Sequence, residues 1–134
     1  MINQRIMATA VIKRGNKYLM VRRSRYSKTY PNQWQFPEGG VKFGEEPLQA
    51  LKRELNEETK LKIRNAKLLG INSSTIKYFN KRIYHFVRLL YSCKASGKIK
   101  LSRKHNDYNW FTKKEIKSLR LLKGFGYKDI EKLL

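Results

Sequence analysis

Two apolar runs, Ile6–Ile12 (IMATAVI) and Lys17–Arg23 (KYLMVRR), flank Arg14-Gly15-Asn16-Lys17. Apolar residues bounded by a short Gly-Asn segment predict two strands joined by a hairpin turn. A polar loop, SRYSKTYPNQ, then leads to Trp34-Gln35-Phe36-Pro37, a predicted short strand closed by proline. Gly39, Gly40 and Gly44 predict a break in regular structure after it. Glu46-Pro47 supplies an acidic entry and a first-turn proline for a helix over LQALKRELNEETK, whose Leu48, Leu51 and Leu55 form one apolar stripe. Beyond it, AKLLGINSSTIKYF and KRIYHFVRLLYSCKA alternate in part and predict two long strands around Asn80-Lys81. KIKL and YNWFT predict two shorter ones, and 113–119 and 127–134 predict helix. The sum is an α/β (α+β) fold, a mixed sheet sandwiched between helices.

Length changes this picture little: 134 residues suit one domain, 1–134, and are too few for two of ordinary size. No apolar run approaches the roughly eighteen residues of a membrane span, and the N-terminus lacks the pattern of a secretory signal, so a soluble cytoplasmic protein with no membrane partner is expected. The single cysteine, Cys93, lies in the apolar run YHFVRLLYSC and reads as a buried thiol. Charge changes the picture more. The net charge of +21 points to an anionic partner such as a nucleotide or RNA, although lysine-rich composition alone produces such chains. Six of the ten acids, Glu38, Glu45, Glu46, Glu54, Glu57 and Glu58, fall between positions 38 and 58. In so basic a chain, that cluster calls for a bound cation.

Glu54, Glu57 and Glu58 stand at i, i+3 and i+4, so a helix carries all three carboxylates on one face while Leu51 and Leu55 turn to the core. Like charges at this spacing repel by a few tenths of a kcal/mol per pair. A solvated helix face tolerates that repulsion; Mg²⁺ or Mn²⁺, which take oxygen ligands, would remove it. Arg53 is placed to brace a glutamate. The glycines before the helix let the backbone turn tightly and approach a phosphate.

The segment PEGGVKFGEEPLQALKRELNEETKL resembles the Nudix box: Gly39, Glu45, Arg53, Glu54, Leu55, Glu57, Glu58 and Leu61 match at fixed spacing. One position departs, Lys60, where the family has a glycine that ends the helix in left-handed geometry; a strained or altered cap is expected. The resemblance implies a single Nudix domain and a metal-dependent hydrolase of a pyrophosphate bond. It implies that Glu54, Glu57 and Glu58, with Gly39, ligate Mg²⁺ (Mn²⁺ in its place). It implies too that Arg53 orients the glutamates, that Glu57 activates water, and that Glu45 supports the loop.

Substrate clues lie outside the box. WQFPEGG is similar to the WQFPxGG of Nudix enzymes acting on dinucleoside polyphosphates and RNA 5′ ends, and LSRKHNDYNW resembles the LSxEHxxYxW of diadenosine tetraphosphate hydrolases. Lys104 stands where those relatives have a glutamate; Asp107 is a candidate replacement, and Lys104 a candidate phosphate contact. Arg23, with Arg22 and Arg25, is a further phosphate candidate. Tyr78 and Tyr108 are candidates for stacking on a base, as are Phe79 and Tyr84, whereas Phe86 and Trp110 read as core. His85 and His105, the latter expected in a loop, receive no metal role. Diadenosine tetraphosphate is thus the first-choice substrate. RNA 5′ ends and nucleoside triphosphates are the enzymatic alternatives, and a nucleotide- or RNA-binding module with a degenerate box is the alternative of another class. The sequence carries no signal of oligomeric state.

Overall fold

The computed structural model describes residues 3–77, 81–119 and 130–134. Tyr78 and Phe79 lie outside these residues, as does part of the helix expected over 127–134. The strands are β1 (Gln4–Arg14), β2 (Lys17–Arg23), β3 (Trp34–Gln35), β4 (Glu38–Gly40), β5 (Lys62–Lys77), β6 (Ile83–Ser96) and β7 (His105–Thr112). Helix α1 spans Pro47–Thr59, α2 spans Lys113–Ser118, and a 3-10 turn covers Ile130–Leu133.

β1 organises the seven-stranded mixed sheet. It runs parallel to β6 from Gln4↔His85 to Ile12↔Cys93 and antiparallel to β4 from Met7↔Gly40 to Thr9↔Glu38. Its last two residues pair with β2 across the Gly15-Asn16 turn, where Gly15 takes φ 61°. β2 continues to β3 and β7, and β6 to β5.

Strand alternation divides the core. Ala8, Ala10 and Ile12 of β1 pack with Leu19, Cys93 and the Ala50, Leu51 and Leu55 stripe of α1. Val11 points the other way, to Met20, Phe36, Leu90, Ile116 of α2 and Ile130 of the 3-10 turn. Helical elements thus cover both faces, and the expected α+β sandwich is observed. Among the described residues no helix is long and apolar enough to cross a membrane. Cys93 is buried, and burial pushes its thiol up to about 11.

Three local expectations are corrected. Gly39 and Gly40 do not interrupt the sheet: with Glu38 they form β4, because β1 lies alongside and supplies the ladder partners Thr9, Ala8 and Met7. KIKL forms no strand. The Lys100 N–H donates instead to Thr59 O at the C-terminal end of α1, and the adjoining Ser102 N–H to Glu58 O, each at 2.9 Å. His105 is not in a loop but begins β7, buried opposite Arg23.

Candidate functional site

Helix α1 and strand β4 meet at Gly39. A Cβ built there would lie 2.0 Å from Glu54 Cγ, so only glycine permits this approach. The helix starts where Pro47 occupies the first turn and Gln49 Oε1 accepts the Glu46 N–H at 3.2 Å. It ends at Lys60, which takes the left-handed conformation (φ 65°, ψ 9°) and donates its N–H to Asn56 O at 2.9 Å. The lysine therefore adopts the glycine's geometry rather than a different cap.

Arg53 braces more than one glutamate. Its guanidinium donates two 2.9 Å bonds to Glu45, a 2.8 Å bond to Glu54 and a 3.3 Å bond to the Gly40 carbonyl, and lies 3.6 Å from Glu57. Arg53, followed by the Lys42 N–H, holds the Glu45 carboxyl down at about 2. Glu45 thus ties the glycine loop to the helix.

A cavity of about 800 Å³ opens beside this brace. Glu38, Gly39, Glu54 and Glu58 form its acidic wall; Arg5, Arg23, Lys42, Arg103 and Lys104 supply five cations around it. Glu58 is only 5% exposed, and its Oε2 has no hydrogen-bond partner among the described residues. Burial, reinforced by Glu54, pushes its carboxyl up to about 8; Lys104, with Nζ 3.8 Å from Oε1, opposes the shift. Glu57 differs: it is 58% exposed, rests on Arg53 and does not line the cavity.

Of the ligand set expected from sequence, the structure therefore brings Gly39, Glu54 and Glu58 to one wall and leaves Glu57 outside the cavity, beside Arg53. Among the described residues no three His, Cys, Asp or Glu side chains already converge as a cage. Arg53 holds Glu54 and Glu57 to itself. The donor chemistry nonetheless fits a hard divalent cation: adjacent carboxylates in a cavity, one with a buried, unpartnered oxygen.

From sequence Glu38 is only one of the clustered acids and Arg88 has no role; in the structure the two join β4 to β6. Arg88, 1% exposed in the middle of apolar β6, donates from Nε to Glu38 Oε1 at 3.2 Å and from Nη1 to Ser74 Oγ at 3.1 Å. Thr9 Oγ1 donates to the same Glu38 oxygen at 3.1 Å. An arginine inside the apolar run HFVRLLY was the available signal, since a charge at a buried strand position requires a partner.

Arg23 lines the cavity, but its guanidinium clamps the loop. It donates to Thr29 O, Thr29 Oγ1, Ser27 Oγ and Gln35 Oε1 at 2.7–3.1 Å. With Gln35 Oε1 so engaged, its Nε2 faces His105 Nε2 at 3.2 Å as the donor, which assigns the ring proton to Nδ1. Burial, then Arg23 and Lys104, lower His105 to about 4.

Asp107 lies apart from the cavity, paired with Arg22 at 3.9 Å, and so does not replace the carboxylate that Lys104 displaces. Tyr108 is 42% exposed on β7 and does not line the cavity; Tyr26, which sequence reading passed over, does. Tyr84 stacks on Phe86 at 6.2 Å, and Phe86 is buried as expected.

A family model described as the NUDIX domain matches residues 3–133. Among solved structures, the chain is similar to a MutT NUDIX hydrolase from Burkholderia pseudomallei, with 26% identity over 84% of this chain and 85% of that one and a TM-score of 0.72. It is similar also to a NUDIX hydrolase from Nitrosomonas europaea, with 26% identity over 87% and 78% and a TM-score of 0.72. It shares its fold with a MutT protein from Methanosarcina mazei Go1, at 22% identity over 98% and 92% and a TM-score of 0.84.

Proposed function

The chain belongs to the Nudix family and is a hydrolase of pyrophosphate bonds in nucleoside diphosphate derivatives; on that premise we propose that it is Mg²⁺-dependent and acts on dinucleoside polyphosphates. The observation that supports a polyphosphate is the cavity itself, with five cationic side chains around a carboxylate wall. A substrate with several phosphates offers charge for the former and a cation-bridging centre for the latter. The LSRKHNDYNW tract, similar to a segment of diadenosine tetraphosphate hydrolases that nucleoside triphosphate-cleaving relatives also carry, is compatible with the dinucleoside form.

Glu54, Glu58 and Gly39, joined by Glu57, would hold Mg²⁺ (or Mn²⁺), which when bound neutralises charge growing on the phosphate oxygens. The remaining work belongs to side chains. Arg53 fixes Glu54 by a 2.8 Å bond and so limits the reorganisation needed at the site. Lys104, Lys42, Arg5 and Arg103 attract and hold the phosphate chain. Glu57, exposed beside Arg53 on the same helix face, is assigned to take the proton of the attacking water. Tyr26 at the mouth replaces Tyr108 as the nearest stacking surface for a base.

The test is product analysis with Mg²⁺. Diadenosine tetraphosphate should give ATP and AMP, and Glu57→Gln should slow that reaction at least about hundredfold, the usual scale for removing a general base. Release of pyrophosphate from triphosphorylated RNA alone would replace the dinucleoside reading with the RNA-end one. An unchanged rate in Glu57→Gln would move the base to the cavity wall. No turnover of any substrate would leave a binding module.

A further inference from the structure

Lys104 is anchored at its backbone and exposed at its head. Its carbonyl accepts the Ser24 N–H at 2.9 Å and its own N–H reaches Ser102 Oγ at 3.3 Å, while Ser102 is tied to the end of α1 through Glu58 O. The side chain is nevertheless 70% exposed, and its ammonium stands 3.8 Å from the oxygen of a carboxylate that is only 6% exposed. The partner has far more to gain from this contact than the lysine. Glu58 is withdrawn from water, lies beside Glu54 in the wall, and has one oxygen with no hydrogen-bond donor among the described residues. Lys104 supplies positive charge where the carboxylates most need it.

A lysine ammonium and a divalent cation compete for the same carboxylate oxygen. The ion carries twice the charge and accepts several ligands, whereas the ammonium satisfies one oxygen of one glutamate. An exposed head on a flexible four-carbon stem can leave without disturbing its anchored backbone. It would then lie free at the wall of a cavity suited to phosphate.

We propose that Lys104 is a tethered counter-ion of Glu58, displaced when a divalent cation binds and thereafter a contact for a phosphate of the substrate. This inference rests on the cation site proposed above. It makes one residue set both metal affinity and substrate affinity, in opposite directions: the ammonium opposes the first ion and assists the polyphosphate that follows.

The experiment is Mg²⁺ titration of the full chain by calorimetry without substrate, at about pH 9 so that Glu58 is ionised, comparing wild type, Lys104→Gln and Lys104→Arg. Removing a competing charge whose partner is buried should tighten Mg²⁺ binding in Lys104→Gln about fivefold, the scale of a partly exposed ion pair. Lys104→Arg, which keeps the charge, should stay near wild type. With diadenosine tetraphosphate at saturating Mg²⁺, Lys104→Gln should raise KM while kcat changes little. Equal or weaker Mg²⁺ binding in Lys104→Gln overturns the competition, and an unchanged KM overturns the phosphate contact. If neither wild type nor Lys104→Gln binds Mg²⁺ while both remain folded by circular dichroism, the cation site itself is wrong and the inference falls with it.

Discussion

Arg88 and Glu38 show how much a single buried pair carries here. Their side chains are 2% and 7% exposed, and they join β6 to β4 next to Gly39, the glycine that approaches Glu54. Taking either partner away strands a charge in the interior, whereas neutralising both removes the conflict. Arg88→Met should therefore cost about 3–5 kcal/mol in urea unfolding, and Arg88→Met combined with Glu38→Gln distinctly less than the sum of the two single changes. Strict additivity would mean that the two side chains do not act as a unit. Gly39 belongs to the same scale: its missing side chain is the space Glu54 occupies.

At the scale of elements, α1 was readable almost to the residue, since its entry proline, its leucine stripe and its glutamate spacing agree and the structure places it at Pro47–Thr59. Strands β1, β2, β5 and β6 were legible for the same reason, a repeated pattern over many residues. β4 was not, because three residues ending in two glycines have no side-chain period; they are a strand only because β1 lies alongside. KIKL erred in the other direction: its alternation suited a strand, but the Lys100 N–H bonds the Thr59 carbonyl at the end of α1 rather than a neighbouring strand. In the site, the glutamates and Arg53 were legible from spacing, while the Glu38–Arg88 pair, with partners 50 residues apart, depended on the fold. The departure at Lys60 gives this scale its own prediction. A non-glycine residue at φ 65° is disfavoured by about 1 kcal/mol or more relative to glycine. Lys60→Gly should therefore raise stability by about 0.5–1 kcal/mol after the extra entropy of unfolded glycine is deducted, with activity retained. A lower melting temperature in Lys60→Gly would show that the lysine side chain contributes there more than its backbone geometry costs.

For the whole molecule, the question is what a net charge of +21 does when the acids are gathered at one place. Six of ten carboxylates lie between Glu38 and Glu58, so most of the remaining surface is basic while the reacting centre is locally acidic. A polyanion is drawn by the long-range field of the first and meets the second only inside the cavity, where Arg5, Lys42, Arg103 and Lys104 stand around it. Such steering acts on encounter, which salt weakens, since the screening length falls from about 10 Å at 0.1 M to about 3 Å at 1 M. Contacts within the cavity are shorter than either length and are screened much less. Raising KCl from low to high concentration at fixed free Mg²⁺ should thus lower kcat/KM for a dinucleoside polyphosphate by about tenfold or more, with kcat nearly constant. If kcat/KM stays flat, the basic surface has no part in capturing substrate. If kcat falls in parallel, salt is acting on the cavity rather than on the approach to it.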